Sequence, residues 1–292
     1  MARRRGVQEP SFALVPKHAQ SEGGEACALA AGYDMKPDKW QRIVLEGWLA
    51  TDSKLQWAAS DCGCAVPRQN GKNAILEFTE LYLAAILGMK ILHTAHEVKT
   101  CRKHFLRMKY YFENARKFPE LAELVTYIRA TNGQEAIVLK NGGSIEFIAR
   151  SKSSGRGFTV DVLVCDEAQE LTDEQMEAIQ PAISSAPSGN PLTIYTGNAD
   201  TADLAGNGVR AHAPQRAQGQ AAEEPVLVRM GGDRDRRRAR PATLVPIQSI
   251  ARHPTAEKRG RFRIGEDDAG RFRPRTSRLV ERSGRRAVRY RC

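Results

Sequence analysis

The chain has 292 residues, enough for one large domain or two of ordinary size. It contains no apolar run of about 18 residues, so a membrane-spanning helix is not expected. Its net charge of +11 is unevenly distributed: residues 1–200 carry 23 Lys and Arg against 24 Asp and Glu, whereas residues 201–292 carry 22 against 10. Such an abrupt change in composition predicts a domain boundary near residue 200.

The predicted elements begin after a mixed segment, residues 1–34, which we expect to be an irregular lead-in. Residues 37–49 predict a helix, because Pro37 suits a first turn and the apolar residues share one face. A strand, a helix, a short strand and a long polar helix are predicted next, over residues 57–65, 73–87, 90–94 and 98–117.

The sequence pattern changes at residue 125. Three short β runs lie between residues 125 and 149, joined by segments that contain Asn-Gly, a dipeptide that favours hairpin turns. These runs predict an antiparallel meander inserted into an α/β pattern. A strand, a helix and a strand complete the regular part, over residues 160–165, 173–180 and 192–196. Strands that alternate with helices imply a mostly parallel sheet covered on both faces.

The stretch Val66–Asn73 lies between a predicted strand and a predicted helix, which is the setting of a phosphate-binding loop. Its sequence, VPRQNGKN, matches G-x-x-x-x-G-K-[ST] incompletely, with Val66 at the first Gly position and Asn73 at the hydroxyl position. Backbone N–H groups at the helix start, together with Lys72, would attract a phosphate. Taken alone, the stretch fits an ordinary strand-to-helix turn equally well.

A second motif, Asp166-Glu167, directly follows the apolar strand over residues 160–165. A carboxylate at the end of such a strand can hold Mg²⁺ beside the phosphates, and the next carboxylate can orient the attacking water. One Asp-Glu pair is also common at a solvated strand end. Its position after a Gly-Lys loop and several β/α units favours an ATP-hydrolysing site.

Three motifs together resemble those of the large terminase subunit of tailed bacteriophages: PRQNGK at residues 67–72, DEAQ at 166–169 and YTGN at 195–198. The resemblance covers about residues 35–200 and implies a P-loop ATPase domain of the additional-strand type, which we expect over residues 35–202. That family packages double-stranded DNA into procapsids, with ATP and Mg²⁺ as cofactors. The resemblance also implies a portal protein and a small terminase subunit as partners, a homo-oligomeric ring, and the cytoplasm of a bacterial host, with no membrane.

The resemblance assigns roles by position. Lys72 would contact the β- and γ-phosphates, Asp166 would hold Mg²⁺, and Glu167 would activate water. The amide oxygen of Asn73 could reach Mg²⁺ directly or through a water. Two arginines compete for stabilising transition-state charge, Arg68 in the loop and Arg156 in the run SGRG at residues 154–157, although each could be a solvated loop residue.

Further residues are assigned to nucleotide binding and to the coupling of hydrolysis to movement. The nucleotide-binding set is Trp40, Gln41, Arg68, Gln69, Asn70, Gly71, Lys72 and Asn73, and the coupling set is Thr196, Gly197 and Asn198. Three histidines suggest a metal site, but positions in a strand and on a helix surface are the favoured interpretation for His93, His96 and His104.

Residues 203–292 show neither the continuation of an ATPase domain nor the acidic cluster of the family's nuclease domain. Their high arginine content and lack of periodicity predict an unstructured segment. It would be either a basic nucleic-acid-binding tail or the out-of-frame translation of a G/C-rich gene. We favour the frameshift, because back-translation shifted by one base permits terminase-like segments. The chain would then be a truncated subunit. The nucleotide sequence around codons 199–203 distinguishes the frameshift from a genuine basic tail.

Two other functions stay open at the level of the sequence. A helicase-type P-loop ATPase fits DEAQ loosely, but such enzymes prefer Gly-Lys-Thr in the loop and need a second motor domain. A non-enzymatic, basic nucleic-acid-binding protein with a degenerate nucleotide fold is the other alternative. ATP turnover with and without duplex DNA separates these functions.

Overall fold

A computed structural model of the chain describes residues 7–151, 154, 157–198, 226–229, 263–266 and 272–275. The chain divides into two compact units, residues 1–256 and residues 257–292. The strands described in the first unit are β1 (Phe12–Leu14), β2 (Gln20–Ser21), β3 (Ala50–Thr51), β4 (Asp61–Ala65), β5 (Lys90–Ala95), β6 (Val125–Arg129), β7 (Glu135–Leu139), β8 (Ser144–Ala149), β9 (Val162–Cys165), β10 (Leu192–Gly197) and β11 (Val226–Arg229).

A nine-stranded sheet with the order β1-β11-β4-β10-β9-β5-β8-β7-β6 forms the centre of the first unit. The strands from β11 to β8 in that order pair in parallel, and the strands beyond them pair antiparallel. This confirms the predicted mostly parallel sheet. Strand β10 lies between β4 and β9, as the additional-strand type of P-loop fold requires. The residues that follow these three strands therefore meet at one edge of the sheet.

The helices cover the faces of the sheet and fix the loops at that edge. They are α1 (Gly23–Gly32), α2 (Lys39–Trp48), α3 (Lys72–Ala85), α4 (Val98–Glu113), α5 (Pro119–Leu124), α6 (Asp173–Ile179) and α7 (Pro181–Ser184), with a 3₁₀ turn at Ala168–Glu170. From Ile75 onward, every residue of α3 is buried. Within the described ranges, no helix has the length and apolar character needed to cross a bilayer.

Most predicted elements are present with shifted ends. The predicted helices over residues 37–49 and 73–87 correspond to α2 and α3, and the three β runs form the antiparallel meander β6–β8. The meander is joined to the main sheet, because β8 also pairs in parallel with β5. The long helix predicted to residue 117 ends earlier, at Glu113, and Pro119 starts the short helix α5.

The lead-in is more regular than the sequence predicted. Helix α1 lies within residues 1–34 and packs against α2 and α3. It was missed because its sequence, GGEACALAAG, has almost no helical periodicity. Close packing stabilises it instead: a Cβ built on Gly23 would lie 2.5 Å from the backbone nitrogen of Glu46 in α2.

The segment 203–292 is also not uniformly unstructured. Residues 226–229 form β11, which pairs in parallel with β4 and antiparallel with β1, so the expectation fails for these four residues. The run Val-Leu-Val has the β-branched apolar character that a central strand needs. The second unit contains an antiparallel hairpin formed by β12 (Arg263–Glu266) and β13 (Phe272–Arg275). The other residues predicted as an unstructured tail lie outside the described ranges.

Candidate active site

Three predicted motifs meet at the carboxylate of Asp166, which follows β9 and is 1% exposed. Lys72 Nζ, at the start of α3, lies 2.8 Å from Asp166 Oδ1. The Thr196 hydroxyl, on β10, donates a hydrogen bond of 2.7 Å to the same oxygen. The backbone N–H of Glu167 donates to it as well, at 2.8 Å. One carboxylate oxygen thus connects the loop, the Asp-Glu motif and the coupling motif.

The surroundings of Asp166 keep it ionised. Burial would raise the pKa of this carboxyl, but the charge of Lys72, the nearby His93 and hydrogen bonds from Lys72 and Thr196 together lower the pKa to about 2. An ionised carboxylate is an acceptor only, and it is the ligand type that Mg²⁺ prefers. Asp166 is therefore suited to the metal-binding role predicted for it.

The segment between β4 and α3 forms a tight loop. The backbone N–H of Val66 donates to Gly197 O at 3.1 Å, which extends the pairing of β4 with β10. Gln69 and Gly71 have left-handed φ angles of 61° and 85°, and the Asn70 amide donates to the carbonyl of Arg68 at 2.9 Å. The loop then enters the N-terminus of α3, where the helix dipole favours an anion.

Trp40 and Gln41 of α2 lie beside this loop. A Cβ on Gly71 would lie 3.1 Å from Gln41 Nε2 and 3.7 Å from the Trp40 ring. The Gln41 amide donates to Gly71 O at 3.1 Å and accepts from the Asp38 N–H at 2.8 Å. Both Trp40 and Gln41 are 4% exposed. Gln41 therefore links the loop to the start of α2, and both the nitrogen and the oxygen of its side-chain amide form hydrogen bonds.

Glu167 differs from Asp166 in exposure and in the direction in which its pKa is shifted. It is half-buried and has a left-handed φ of 53°. Burial and the neighbouring negative charge of Asp166 raise the pKa of Glu167. A carboxylate with a raised pKa is a better proton acceptor, which suits the predicted activation of water.

The motif at residues 195–198 contacts both the loop and the Asp-Glu motif through successive residues. Thr196 bonds to Asp166, and Gly197 O accepts from Val66 in the loop. The backbone N–H of Asn198 donates to the side-chain oxygen of Gln169 at 3.4 Å. These contacts follow from the position of β10 between the loop strand and the Asp-Glu strand.

For Asn73 and the two candidate arginines, no contact to Asp166 is described. Arg68 is exposed on the loop, and Asn73 is half-buried in the first turn of α3, next to Lys72. Arg156 lies outside the described residues. Which arginine stabilises transition-state charge thus stays a prediction.

Arg150, directly after β8, is a site residue that the sequence analysis missed. It is 5% exposed, and its guanidinium donates to the carbonyl of Asp166 at 2.7 Å and to that of Glu167 at 3.1 Å. A single arginine at the end of a β run gives no sequence signal of such contacts, because its acceptors are backbone atoms from another strand.

A buried cluster of Glu80, His93 and His104 was also missed. His93 lies in a strand as expected, but His104 is 1% exposed, so the predicted helix-surface position is wrong for it. His93 Nδ1 lies 2.6 Å from Glu80 Oε1, and His104 Nε2 lies 2.7 Å from Glu80 Oε2. His96, in contrast, is exposed.

The same three side chains offer zinc-type ligand atoms within 4.8 Å of one another. The two imidazole rings are stacked 4.1 Å apart and are nearly parallel, at 9°. Imidazole lone pairs lie in the ring plane, so those of stacked rings run side by side and do not converge on one ion. The arrangement is thus one of a carboxylate that bridges two imidazoles by hydrogen bonds.

Comparisons with known proteins give matches among solved structures alone. No family model matches the chain, and no curated protein does. The large terminase of bacteriophage HK97 is similar with a TM-score of 0.52 and 17% identity, over 68% of this chain and 45% of that chain. The matched part is therefore less than half of the HK97 protein.

Two further structures resemble the chain less closely. The large terminase ATPase domain of Thermus phage P74-26 has a TM-score of 0.42 and 18% identity, over 57% of this chain and 67% of that chain. The UvsW helicase of bacteriophage T4 has a TM-score of 0.37 and 11% identity, over 58% of this chain and 55% of that chain. At such identities the similarity shows the fold, and the chain has the ATPase-like fold of a phage terminase large subunit.

Proposed function

We propose that the chain is the ATP-hydrolysing motor subunit of a phage terminase that packages double-stranded DNA. The observation that carries the proposal is the convergence of Lys72 and Thr196 on Asp166, because it assembles the three motifs in one site. The HK97-like fold supports it at the level of architecture.

ATP and Mg²⁺ fit the residues at this edge of the sheet. The N-terminus of α3 and the Lys72 ammonium provide positive charge for phosphates, and the ionised Asp166 provides an oxygen ligand for Mg²⁺. Asn73, in the first turn of α3, adds an amide oxygen. When bound, Mg²⁺ neutralises charge on the phosphate oxygens.

The chain's own residues would then act in sequence. Lys72 would leave Asp166 for the β- and γ-phosphates, which frees the carboxylate for the metal. Glu167 would orient a water and accept its proton, for which its raised pKa is suited. Thr196, which bonds to Asp166, would pass the change at that carboxylate to β10 and thus to Asn198. Arg68 or Arg156 would stabilise transition-state charge.

The wider assignment extends the same proposal. The partners would be viral double-stranded DNA, a portal protein and a small terminase subunit, with a ring of copies in the cytoplasm of the bacterial host. We also propose that much of residues 203–292 is out-of-frame translation. Stop codons throughout the alternative frame around codons 199–203 would contradict the frameshift.

Replacement of Glu167 tests the proposed chemistry. We expect Glu167→Gln to lower the kcat for ATP by about 100-fold or more, the range that a lost general base produces, while nucleotide affinity stays near that of the unmodified chain. The matched control is Glu123→Gln, which replaces an exposed glutamate on α5 and should leave kcat unchanged. Turnover of Glu167→Gln at the rate of its control contradicts the proposal.

The helicase alternative makes a different prediction for the same chain. A helicase would couple ATP turnover to strand separation, whereas a packaging motor responds to intact duplex. We expect duplex DNA to stimulate turnover without any release of a labelled strand. Strand release with ATP would favour the helicase, and DNA binding without any turnover would favour the non-enzymatic alternative.

A further inference from the structure

The guanidinium of Arg150 is bonded at the ends of two strands of the central sheet. Its Nη1 donates to Asp166 O at 2.7 Å, to Thr94 O at 3.1 Å and to Thr94 Oγ1 at 3.3 Å. Its Nη2 donates to Glu167 O at 3.1 Å. Thr94 is itself tied to the Asp166 strand, because its hydroxyl donates to Val164 O at 2.8 Å. One side chain therefore links β8, β5 and the turn after β9.

The turn that Arg150 contacts has an unusual backbone. Glu167 has a φ of 53°, in the left-handed region that residues other than glycine rarely adopt. Such a conformation costs free energy and persists when neighbouring contacts fix it. Here the two successive carbonyls of Asp166 and Glu167 both accept from the planar guanidinium, while the Glu167 N–H is bonded to the Asp166 carboxylate.

The electrostatics of Arg150 indicate a role in geometry. Among the described residues it forms no ion pair, and its four acceptor contacts go to backbone carbonyls and one hydroxyl. Burial is the main cause that lowers the pKa of Arg150. A buried cation without a paired carboxylate is expensive in free energy. An apolar side chain would fill this space at a lower cost in free energy. The hydrogen bonds to the turn are therefore the reason for an arginine at this position.

We propose that Arg150 is a positioning residue for ATP hydrolysis, which fixes the Asp166-Glu167 turn so that Glu167 reaches the attacking water. The inference rests on the proposed function, because it concerns the same site. Arg150 would act through the backbone of Glu167 and would not touch nucleotide. Its removal should therefore affect the chemical step more than nucleotide binding.

Two replacements in the full chain test this role. Arg150→Met removes every bond to the turn, and we expect kcat to fall by about 100-fold, the effect of a misplacement of about 1 Å. Arg150→Lys keeps the charge but cannot form the bidentate contact. Its kcat should therefore lie between that of the unmodified chain and that of Arg150→Met. The KM for ATP and the affinity for a non-hydrolysable ATP analogue should change by less than about threefold.

Arg129→Met is the matched control. The Arg129 guanidinium also donates to a backbone carbonyl, that of Gln134, but it lies on β6 at the far edge of the sheet. This variant should retain the kcat of the unmodified chain. Titration of active sites with the analogue corrects kcat for unfolded protein. A residue with a structural role alone would lower the titrated fraction and leave the corrected kcat unchanged.

The outcomes separate this inference from the proposed function. A corrected kcat of Arg150→Met equal to that of the unmodified chain overturns the positioning role. If Arg150→Met does not fold, Arg150→Lys tests the positioning role instead. A lowered kcat with retained binding of the analogue supports that role, and an unchanged kcat overturns it. Lys72→Ala is measured in parallel: if it keeps full turnover, the proposed function fails. If it loses turnover while both Arg150 variants keep theirs, the positioning role alone fails.

Discussion

At the scale of single residues, Asp166 Oδ1 is the atom on which the site depends. It accepts from the Lys72 ammonium, from the Thr196 hydroxyl and from the backbone N–H of Glu167. A binding event that draws Lys72 toward a phosphate must change this set of bonds. Under the proposed function, the effect would reach β10 through Thr196 and the turn through Glu167.

The sequence was sufficient to predict these residues but not the buried side chains around them, Arg150 and Glu80. Lys72, Asp166 and Thr196 belong to short motifs at or just after the carboxyl ends of strands, so their convergence follows from a parallel sheet. Arg150 binds carbonyl groups, which carry no sequence signature. Glu80 lies in α3 three residues after Glu77, a spacing that also fits a solvated helix face, so its burial could not be inferred before the packing of α4 was known.

The carboxyl of Glu80 makes stability dependent on pH. Burial would raise the pKa of Glu80, but His104 and His93 lower it from 4.5 to about 2. Because the folded-state pKa is depressed, this stabilisation is present above about pH 4.5 and is lost as the pH falls toward 2.

Glu80→Gln should therefore lower the free energy of unfolding at pH 7, by roughly 3 kcal/mol or more, because two buried imidazoles lose their anionic partner. Between pH 4.5 and pH 2 its stability should fall less steeply than that of the unmodified chain. Urea unfolding at several pH values measures both effects. Parallel pH profiles for the two proteins would contradict the ionised, bridging carboxylate.

At the scale of elements, periodicity located the helices that pack on one face and the strands that alternate with them. Helix α2 has a clear apolar face, and β9 is a continuous apolar run, and both were predicted. Helix α1 was not predicted, because glycine and alanine give it little amphipathic contrast. Its stability comes from the close approach to α2, which is a tertiary effect.

Two neighbouring glycines allow a direct test of that approach. A Cβ on Gly23 would lie 2.5 Å from Glu46 N, whereas a Cβ on Gly24 would lie 3.6 Å from the flexible Glu46 Oε1. Gly23→Ala should destabilise the chain by about 1–3 kcal/mol through overpacking.

Gly24→Ala is the matched control and should be neutral or stabilising by up to about 1 kcal/mol, because alanine favours the helix. Thermal unfolding compares the two variants. Equal midpoints would show that α1 does not pack closely on α2.

At the scale of the whole molecule, the charge division near residue 200 does not coincide with the end of the fold. Strand β11 lies beyond that division, yet it pairs between β1 and β4 and buries Val226 and Val228. A run of four residues within an arginine-rich segment is too short to be recognised from composition. The pairing of β11 with β4, a tertiary contact, is what places these residues in the sheet.

The contribution of β11 can be measured by Val228→Asp. A charge in this buried position should lower the free energy of unfolding by several kcal/mol, because the ionised carboxylate loses its hydration there. Val15→Asp places the same charge at a residue that is 37% exposed and should have little effect. Equal stability of the two variants would show that residues 226–229 do not belong to the sheet.

The central claim is that Lys72 and Asp166 form an ATP-hydrolysing site, and steady-state hydrolysis of Mg-ATP by the full chain tests it most directly. The unmodified chain should turn over ATP, and Lys72→Ala should lose at least about 100-fold in kcat/KM, because phosphate binding and charge stabilisation both depend on the ammonium. Lys103→Ala, at an exposed position on α4, should match the unmodified chain. Lys72→Ala with the turnover of Lys103→Ala would contradict the account.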